Sequence, residues 1–444
     1  MKTFYIYILF IVFITSCSKW VEVERPENMM GEEDIFKNLN NSTSYITSLY
    51  VKQIDFAIPG IIILGGCSSD EFDSNLPDYK QFLTNEIDPE NRFYYLPWGN
   101  LYPIIARANI AINALENNKT LVEKDRERLI GETYFIRAYC FFHLLQFYGQ
   151  IPLTLSPDPK ENMFLAQNTT DEVWSQIISD LKKSQNFLKE NQTITNTRAN
   201  YYTSTALLAR CYLYNEKWNE ALTESSKVIN SKIYNLADLN TLFSTNNKEI
   251  IFQLQTEQYY NTLPFLFSSY DPSYPPNITM SKYFHDLLLT NDARMKTYTT
   301  TSQNSGTTIN KHGFESNQII LFRLAELYLI RAEANIMLNN FSEANTDINI
   351  IRKRAQIDNI NIENQIEGRL EIENQRAAEF FGEYPHRWFD LKRWKGVQNN
   401  ALTRADEILS KIEHKKWKKT GVLFPITNKD LINNNNLKQN LGYN

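Results

Sequence analysis

The sequence predicts an all-α protein whose helices are interrupted by long loop-rich stretches. Three observations lead there. Apolar residues recur at three- and four-residue intervals over much of the chain, the period of an amphipathic helix. Two separate segments, 206–222 and 329–345, carry the same helix-hairpin pattern. Between the helical segments lie stretches rich in Asn, Ser, Thr, Tyr, Asp and Pro that also hold many aromatic residues, which argues against disorder.

The N-terminus comes first. Met1 and Lys2 supply a positive start, Phe4 to Ile14 is an unbroken apolar run, and Thr15 and Ser16 are small before Cys17. The run is shorter than the roughly 20 apolar residues a spanning helix needs, so it reads as a secretory signal. Ile14-Thr15-Ser16-Cys17 resembles a bacterial lipobox, which implies cleavage before Cys17 and acylation of that residue. The expected division is a signal over 1–16 and one domain over 17–444, with an N-terminal helical part over 17–235 and an irregular segment plus C-terminal part over 236–444. Phe56 to Gly66 is the nearest later apolar run, and it is short and broken by Pro59 and Gly60.

Helices follow over 101–115 and 125–147, the second stopped by Gly149 and Pro152. Thr170-Asp171 is expected to cap a helix over 172–188. Helices over 201–213 and 218–230 form a pair joined by Asn215-Glu216-Lys217, and helices over 321–338 and 342–354 form another joined at Asn339-Asn340-Phe341. A further helix covers 367–381. Aligned on Trp218 and Phe341, the two pairs share small Ala on the first helix and Ala221 or Ala344 three residues past the aromatic. This resembles the tetratricopeptide pattern, in which small residues let two helices approach closely. The pairs are not contiguous, so a simple solenoid is not expected. Residues 60–98 and 235–318 read as irregular, with one short strand over 250–254.

Charge and motifs exclude several functions. The net charge of −5 gives no case for binding nucleic acid or an anionic membrane. Of four cysteines, Cys140 and Cys211 sit in apolar helical patterns and read as buried thiols, with no disulfide framework and no Cys–His zinc spacing. The five histidines make no HExxH or other ligand spacing, and no phosphate loop or GxSxG elbow appears, so no metal and no cofactor is expected. Lys415-Lys416-Trp417-Lys418-Lys419 reads as a solvated basic loop. Glu373, Glu379, Glu383 and Asp390 invite a glycosidase reading, which needs two carboxylates facing each other across a sugar. Arg376, Arg387 and Arg393 lie among them, so the cluster reads instead as structural ion pairs.

The C-terminal part resembles the SusD/RagB family. Arg323-Leu324-Ala325-Glu326-Leu327-Tyr328-Leu329-Ile330-Arg331-Ala332-Glu333-Ala334 is similar to one of its helices. So is Glu373-Asn374-Gln375-Arg376-Ala377-Ala378-Glu379-Phe380-Phe381-Gly382-Glu383, with Arg387-Trp388-Phe389-Asp390-Leu391-Lys392-Arg393-Trp394, to its signature. Leu423-Phe424-Pro425-Ile426 and 435–443 resemble its closing motif, and Ser69-Asp70-Glu71, Arg107-Ala108-Asn109 and 148–153 add N-terminal matches. The chain departs from the pattern at Gln375, and at Asn434 and Leu441, where Pro is common. The resemblance implies an α-α superhelix with tetratricopeptide-like hairpins and a loop-rich ligand-binding part. It also implies a lipid-anchored outer-membrane protein, facing outward, that binds glycans, or in some members peptides, for a SusC-like TonB-dependent transporter, and it implies no enzyme.

Sugar rings have apolar faces for flat aromatics and hydroxyl edges for amides and carboxylates, so a capture site is concave, aromatic and selectively polar. Phe93 to Asn100 has those ingredients, and Tyr95, Trp98 and Asn100 are the candidates there, with core packing as the plain alternative for Trp98. Asp73, Asn75 and Tyr79 supply polar edges. The resemblance also points to the irregular segment before the signature helices, where Tyr259, Tyr260, Tyr270 and Tyr274 stand. A secreted hydrolase and a protein-binding helical scaffold are the competing classes.

Overall fold

The computed structural model describes residues 32–91, 93, 95–189, 195–244, 247–255, 263–268, 276–302, 306–311 and 318–443. Cys17, Tyr259, Tyr260, Tyr270 and Tyr274 lie outside the described residues.

Helix α1, Leu39–Lys52, starts where the Asn38 side-chain carbonyl accepts from the N–H groups of Asn40 (2.8 Å) and Asn41 (3.2 Å). A π-helical turn, Gln53–Ala57, leads into α2, Ile58–Ser68. Pro59 is tolerated there because first-turn N–H groups have no intrahelical acceptor. The stretch from residue 60 that reads as irregular is therefore helical at its start, and the apolar run becomes a buried core helix. Gly65 and Gly66 make this possible: a Cβ on Gly65 would sit 2.3 Å from Pro385 Cβ, and one on Gly66 2.1 Å from the Phe72 ring. No helix among the described residues is long and apolar enough to cross a membrane.

The helical body continues with α3 (Tyr95–Glu116), α4 (Glu123–Tyr148), α5 (Thr170–Leu188), α6 (Tyr201–Tyr214) and α7 (Trp218–Asn230). After a long insert come α8 (Leu324–Met337), α9 (Phe341–Arg354), α10 (Gln365–Phe380), α11 (His386–Arg393) and α12 (Arg404–Leu409). The α5 cap is Thr169, one residue before the expected position. Its hydroxyl accepts from the Glu172 N–H while the Glu172 carboxylate accepts from the Thr169 N–H, a reciprocal pair that sets the boundary.

The two hairpins repeat in detail. Glu216 (φ 54°) and Asn339 (φ 63°) both adopt the left-handed conformation, each two residues before the aromatic that opens the second helix. The next N–H closes the turn equivalently, Lys217 to the Tyr212 carbonyl and Asn340 to the Asn335 carbonyl, both at 2.8 Å. Ala206, Ala209, Ala221, Ala325, Ala332 and Ala344 are all buried, as close approach requires. Although residues 231–323 separate the hairpins, α7 packs directly on α8, so the stack α3 to α9 is continuous in space.

The insert forms two small antiparallel sheets. Strands β2 (Ile250–Gln255) and β6 (Gln318–Arg323) pair, with Phe252 opposite Phe322. Strands β1 (Phe72–Ser74), β3 (Ile278–Met280), β4 (Thr299–Ser302) and β5 (Gly306–Ile309) make the second sheet in the order β1-β3-β5-β4. The helix expected from residue 321 begins at Leu324 instead. Residues 318–323 are all buried, and an apolar run of that length serves strand or helix equally until a partner decides. Here β2 decides.

The N- and C-terminal parts are fastened by the residues that carry the family resemblance. Arg387 grips Asp70 bidentately at 2.8 Å and 2.8 Å, and the Gly382 N–H donates to Glu71 Oε1 at 2.7 Å. Near the end of the chain the Gln439 amide brackets Ile426, accepting from its N–H and donating to its carbonyl, both at 2.7 Å. The Asn440 amide donates to the carbonyls of Tyr148 (3.0 Å) and Phe424 (2.7 Å), which holds the C-terminal segment against the end of α4.

Candidate functional site

Two clefts contain residues singled out in the sequence. The first, about 410 Å³, opens between the start of α3, the 152–163 segment and residues 430–437. Trp98 is 6% exposed, with its ring edge-on to Tyr102 (4.9 Å) and Tyr148 (5.0 Å) and its backbone N–H on the Tyr148 hydroxyl (3.3 Å). It is thus both a core residue and part of the cleft lining. Tyr102 stands beside it, its hydroxyl donating to the Pro152 carbonyl at 3.0 Å. Burial, and then the Asp430 charge, pushes the Tyr102 phenol well above its usual pKa.

Tyr95 and Asn100 lie on the same first turns of α3, which begins at Tyr95, ahead of the expected 101. Pro103 sits inside α3 and lacks an N–H, so the Gly99 carbonyl loses its ordinary helical donor. Gly99 and Pro103 both line the cleft. The opposite wall carries Asn162, Asp430, Asn433 and Asn434. Asn434, at a position where the family pattern favours Pro, uses its side chain twice: it donates to the Leu165 carbonyl (2.9 Å) and accepts from the Asn436 N–H (3.0 Å). Sequence reasoning missed Tyr102 and all four wall residues. They stand far apart in the chain, and contacts such as Asn434 to the Leu165 carbonyl and Asn440 to the Tyr148 carbonyl bring the two parts together.

The second cleft, about 380 Å³, is lined by Asp70, Asp73, Tyr283, Asp286, Lys411, His414 and Lys415 among others. Asp73 and Asn75 lie on and just past β1, and Tyr79 packs its ring against Phe93 at 5.5 Å. The fold therefore places Asp73 and Trp98 in different clefts. The basic run 415–419 is not wholly solvated. Lys415 is buried and donates to the carbonyls of Cys67 (3.0 Å) and Leu83 (2.9 Å), because the segment crosses the end of α2. Burial lowers its pKa to about 8.

The C-terminal carboxylates form a buried ion-pair cluster. Glu379 meets Arg323 (2.6 Å), Arg294 (2.9 Å) and Arg354, and Glu383 meets Arg323 (2.7 Å) and Lys311 (2.7 Å). Burial raises the Glu379 pKa, but Arg354, Arg323 and Arg294 outweigh it and hold the carboxyl well below the usual range. Glu379 sits in the last turn of α10 and Glu383 in the turn beyond it, and each carboxylate is enclosed by cations rather than facing the other across a substrate. Among the described residues no group of three or more His, Cys, Asp or Glu could hold a metal ion, and Cys67, Cys140 and Cys211 are buried free thiols.

The model of the SusD family matches residues 167–443. The chain belongs to the SusD family. A second family model, described as starch-binding associating with outer membrane, matches residues 65–213. SusD-like protein P38 of Formosa agariphila is 22% identical over 97% of this chain and 96% of its own. SusD-like protein P2 of the same organism is 24% identical over 98% of each. Among solved structures, a SusD superfamily protein from Bacteroides vulgatus superposes with a TM-score of 0.82 at 22% identity, covering 92% of this chain and 100% of that one. A laminarin-binding SusD-like protein (TM-score 0.77, 20% identity) and surface glycan-binding protein A from Bacteroides uniformis (TM-score 0.77, 18% identity) each cover 91% of this chain and 99% of their own. These likenesses establish the helical superhelix.

Proposed function

We propose that the chain is an outer-membrane lipoprotein, anchored through acylated Cys17 and facing outward, that binds glycans and passes them to a SusC-like TonB-dependent transporter. It acts without catalysis: the ligand is held and handed on, and no bond in it is broken. The observation that carries this reading is the Trp98 cleft on a SusD-family fold. Its aromatic floor and amide-bearing rim suit a sugar's apolar face and hydroxyl edge. Support comes from structural neighbours whose names state glycan or laminarin binding, from the outer-membrane association in the second family description, and from carboxylates already committed to cations.

The test is calorimetric titration of the purified protein with plant, algal and host glycans and with peptide digests, alongside Asn433→Ala. Saturable glycan binding weakened by that substitution is expected. Binding of peptides alone would replace the glycan by a peptide cargo, and release of reducing ends from any glycan would overturn the non-catalytic reading. For the anchor, Cys17→Ala is expected to move the protein from the membrane fraction to the soluble one.

A further inference from the structure

Resting on that glycan-binding reading, we propose that the Trp98 cleft selects uncharged sugar chains and rejects those bearing uronate or sulfate groups. Among the described lining residues Asp430 is the single charged side chain, and none of them is Lys or Arg. Anionic sugars are ordinarily held by guanidinium or ammonium groups, which pair with carboxylate or sulfate oxygens. Here the one fixed charge has the same sign as such a ligand.

The available hydrogen-bonding groups point the same way. Asp430 Oδ2 accepts from the Thr427 hydroxyl at 2.5 Å, and that hydroxyl oxygen accepts from the Asp430 N–H at 2.9 Å. The carboxylate is thereby held in place through Oδ2, and among the described residues no hydrogen bond is made to Oδ1. The Gly99 carbonyl is a second acceptor, deprived of its helical donor by Pro103. Acceptors of this kind need donors from the ligand. Sugar hydroxyls donate, whereas ionised carboxylate and sulfate oxygens only accept. Trp98, Thr154 and Asn433 line the same cleft and bring an indole N–H, a hydroxyl and an amide that suit sugar hydroxyls. Arg107, Lys160, Lys429 and Lys438 lie within two residues of lining positions, but all four are exposed and outside the described lining, and Asp158 and Glu161 offset Lys160.

The test is titration with gluco-, manno- and xylo-oligosaccharides and with oligogalacturonides of matched length, at low and high salt. The tightest neutral probe is expected to bind at least about tenfold more tightly than the acidic one at low salt, where charge repulsion is least screened. Asp430→Asn keeps a side-chain oxygen for Thr427, so an unchanged melting temperature certifies the fold. In that variant the preference should shrink to within about threefold. Equal or tighter binding of oligogalacturonides by the unmutated protein overturns the inference while leaving the glycan reading intact, as does a preference that Asp430→Asn leaves unchanged. Capture of peptides with no sugar bound removes the glycan reading itself.

Discussion

The Trp98 cleft and the buried cluster around Arg323 are both dense in polar groups, and they have put them to opposite uses. Around Arg323 every carboxylate named has a cation against it. Glu249, Glu379 and Glu383 all reach that one guanidinium, and Arg294, Arg354 and Lys311 close the outer side. In the cleft the polar groups are mostly uncharged, with Asp430 the one charged side chain among the described lining residues. Charge density alone is thus a poor guide to a site in this molecule. Clusters that look catalytic in sequence are the fasteners, and the cleft proposed to bind glycan lies where charge is scarce. The Asp73 cleft sits between the two: it is charged, but Asp70 is paired with Arg387, Asp286 with Lys282, and Lys415 with backbone carbonyls.

The largest expected effect comes from breaking the cluster. Arg323→Ala leaves Glu379 and Glu383 buried with too few partners, and removing one member of a buried pair costs about 3–5 kcal/mol. Denaturant unfolding should show that loss, and a change below 1 kcal/mol would mean the cluster is far better solvated than its burial implies. Acid comes next. Glu379 and Glu383 have depressed pKa values in the fold, so their contribution is present above the unfolded carboxyl value of about 4.3 and is lost as pH falls below it. Melting temperatures measured downward from neutral pH should therefore drop steeply in the acid range, and the drop should be smaller in Glu383→Gln.

Glu71 runs the other way. Burial raises its pKa to about 8 despite the Gly382 N–H bond, so the folded state holds a proton that the unfolded chain has lost. Between about 4.3 and 8 this group makes stability fall as pH rises. Glu71→Gln keeps an acceptor for Gly382 and removes that slope, so it should melt higher than the parent at pH 8 and show little advantage at pH 4. The smallest effects on stability belong to the cleft. Thr154→Ala and Asn433→Ala should change unfolding free energy by less than about 0.5 kcal/mol and yet weaken glycan binding several-fold, while Asp73→Asn leaves that binding unchanged. A binding loss in Asp73→Asn equal to that in Asn433→Ala would move the site to the second cleft.

How far these regions were legible in sequence follows the range of the forces involved. Helices such as α6 and α7 were readable because their periodicity and their turn are local, and both hairpins repeat the same left-handed residue two positions before the aromatic. The structural role of Glu379 and Glu383 was readable from the Arg residues interleaved with them. The start of α8 was not, because Gln318–Arg323 became a strand only by pairing with Ile250–Gln255. Nor was α2, whose glycines read as breaks until Pro385 and Phe72 are seen pressed against them.

By itself the sequence determined the helical class, the repeated hairpin, the burial of Cys140 and Cys211 and the family to which the chain belongs. These rest on periodicity, composition and motifs, which operate over a few turns of chain. Tertiary structure alone decided that α7 stacks on α8 across the long insert, that Asp73 and Trp98 face different clefts, and that Asn162 and Asn433 complete the wall opposite Tyr102. Those placements relate residues from tens to more than three hundred positions apart, and no local preference records them: they exist only once burial of the core and long-range hydrogen bonds, such as those of Asn440 to Tyr148 and Asn434 to Leu165, have brought the chain's distant parts together.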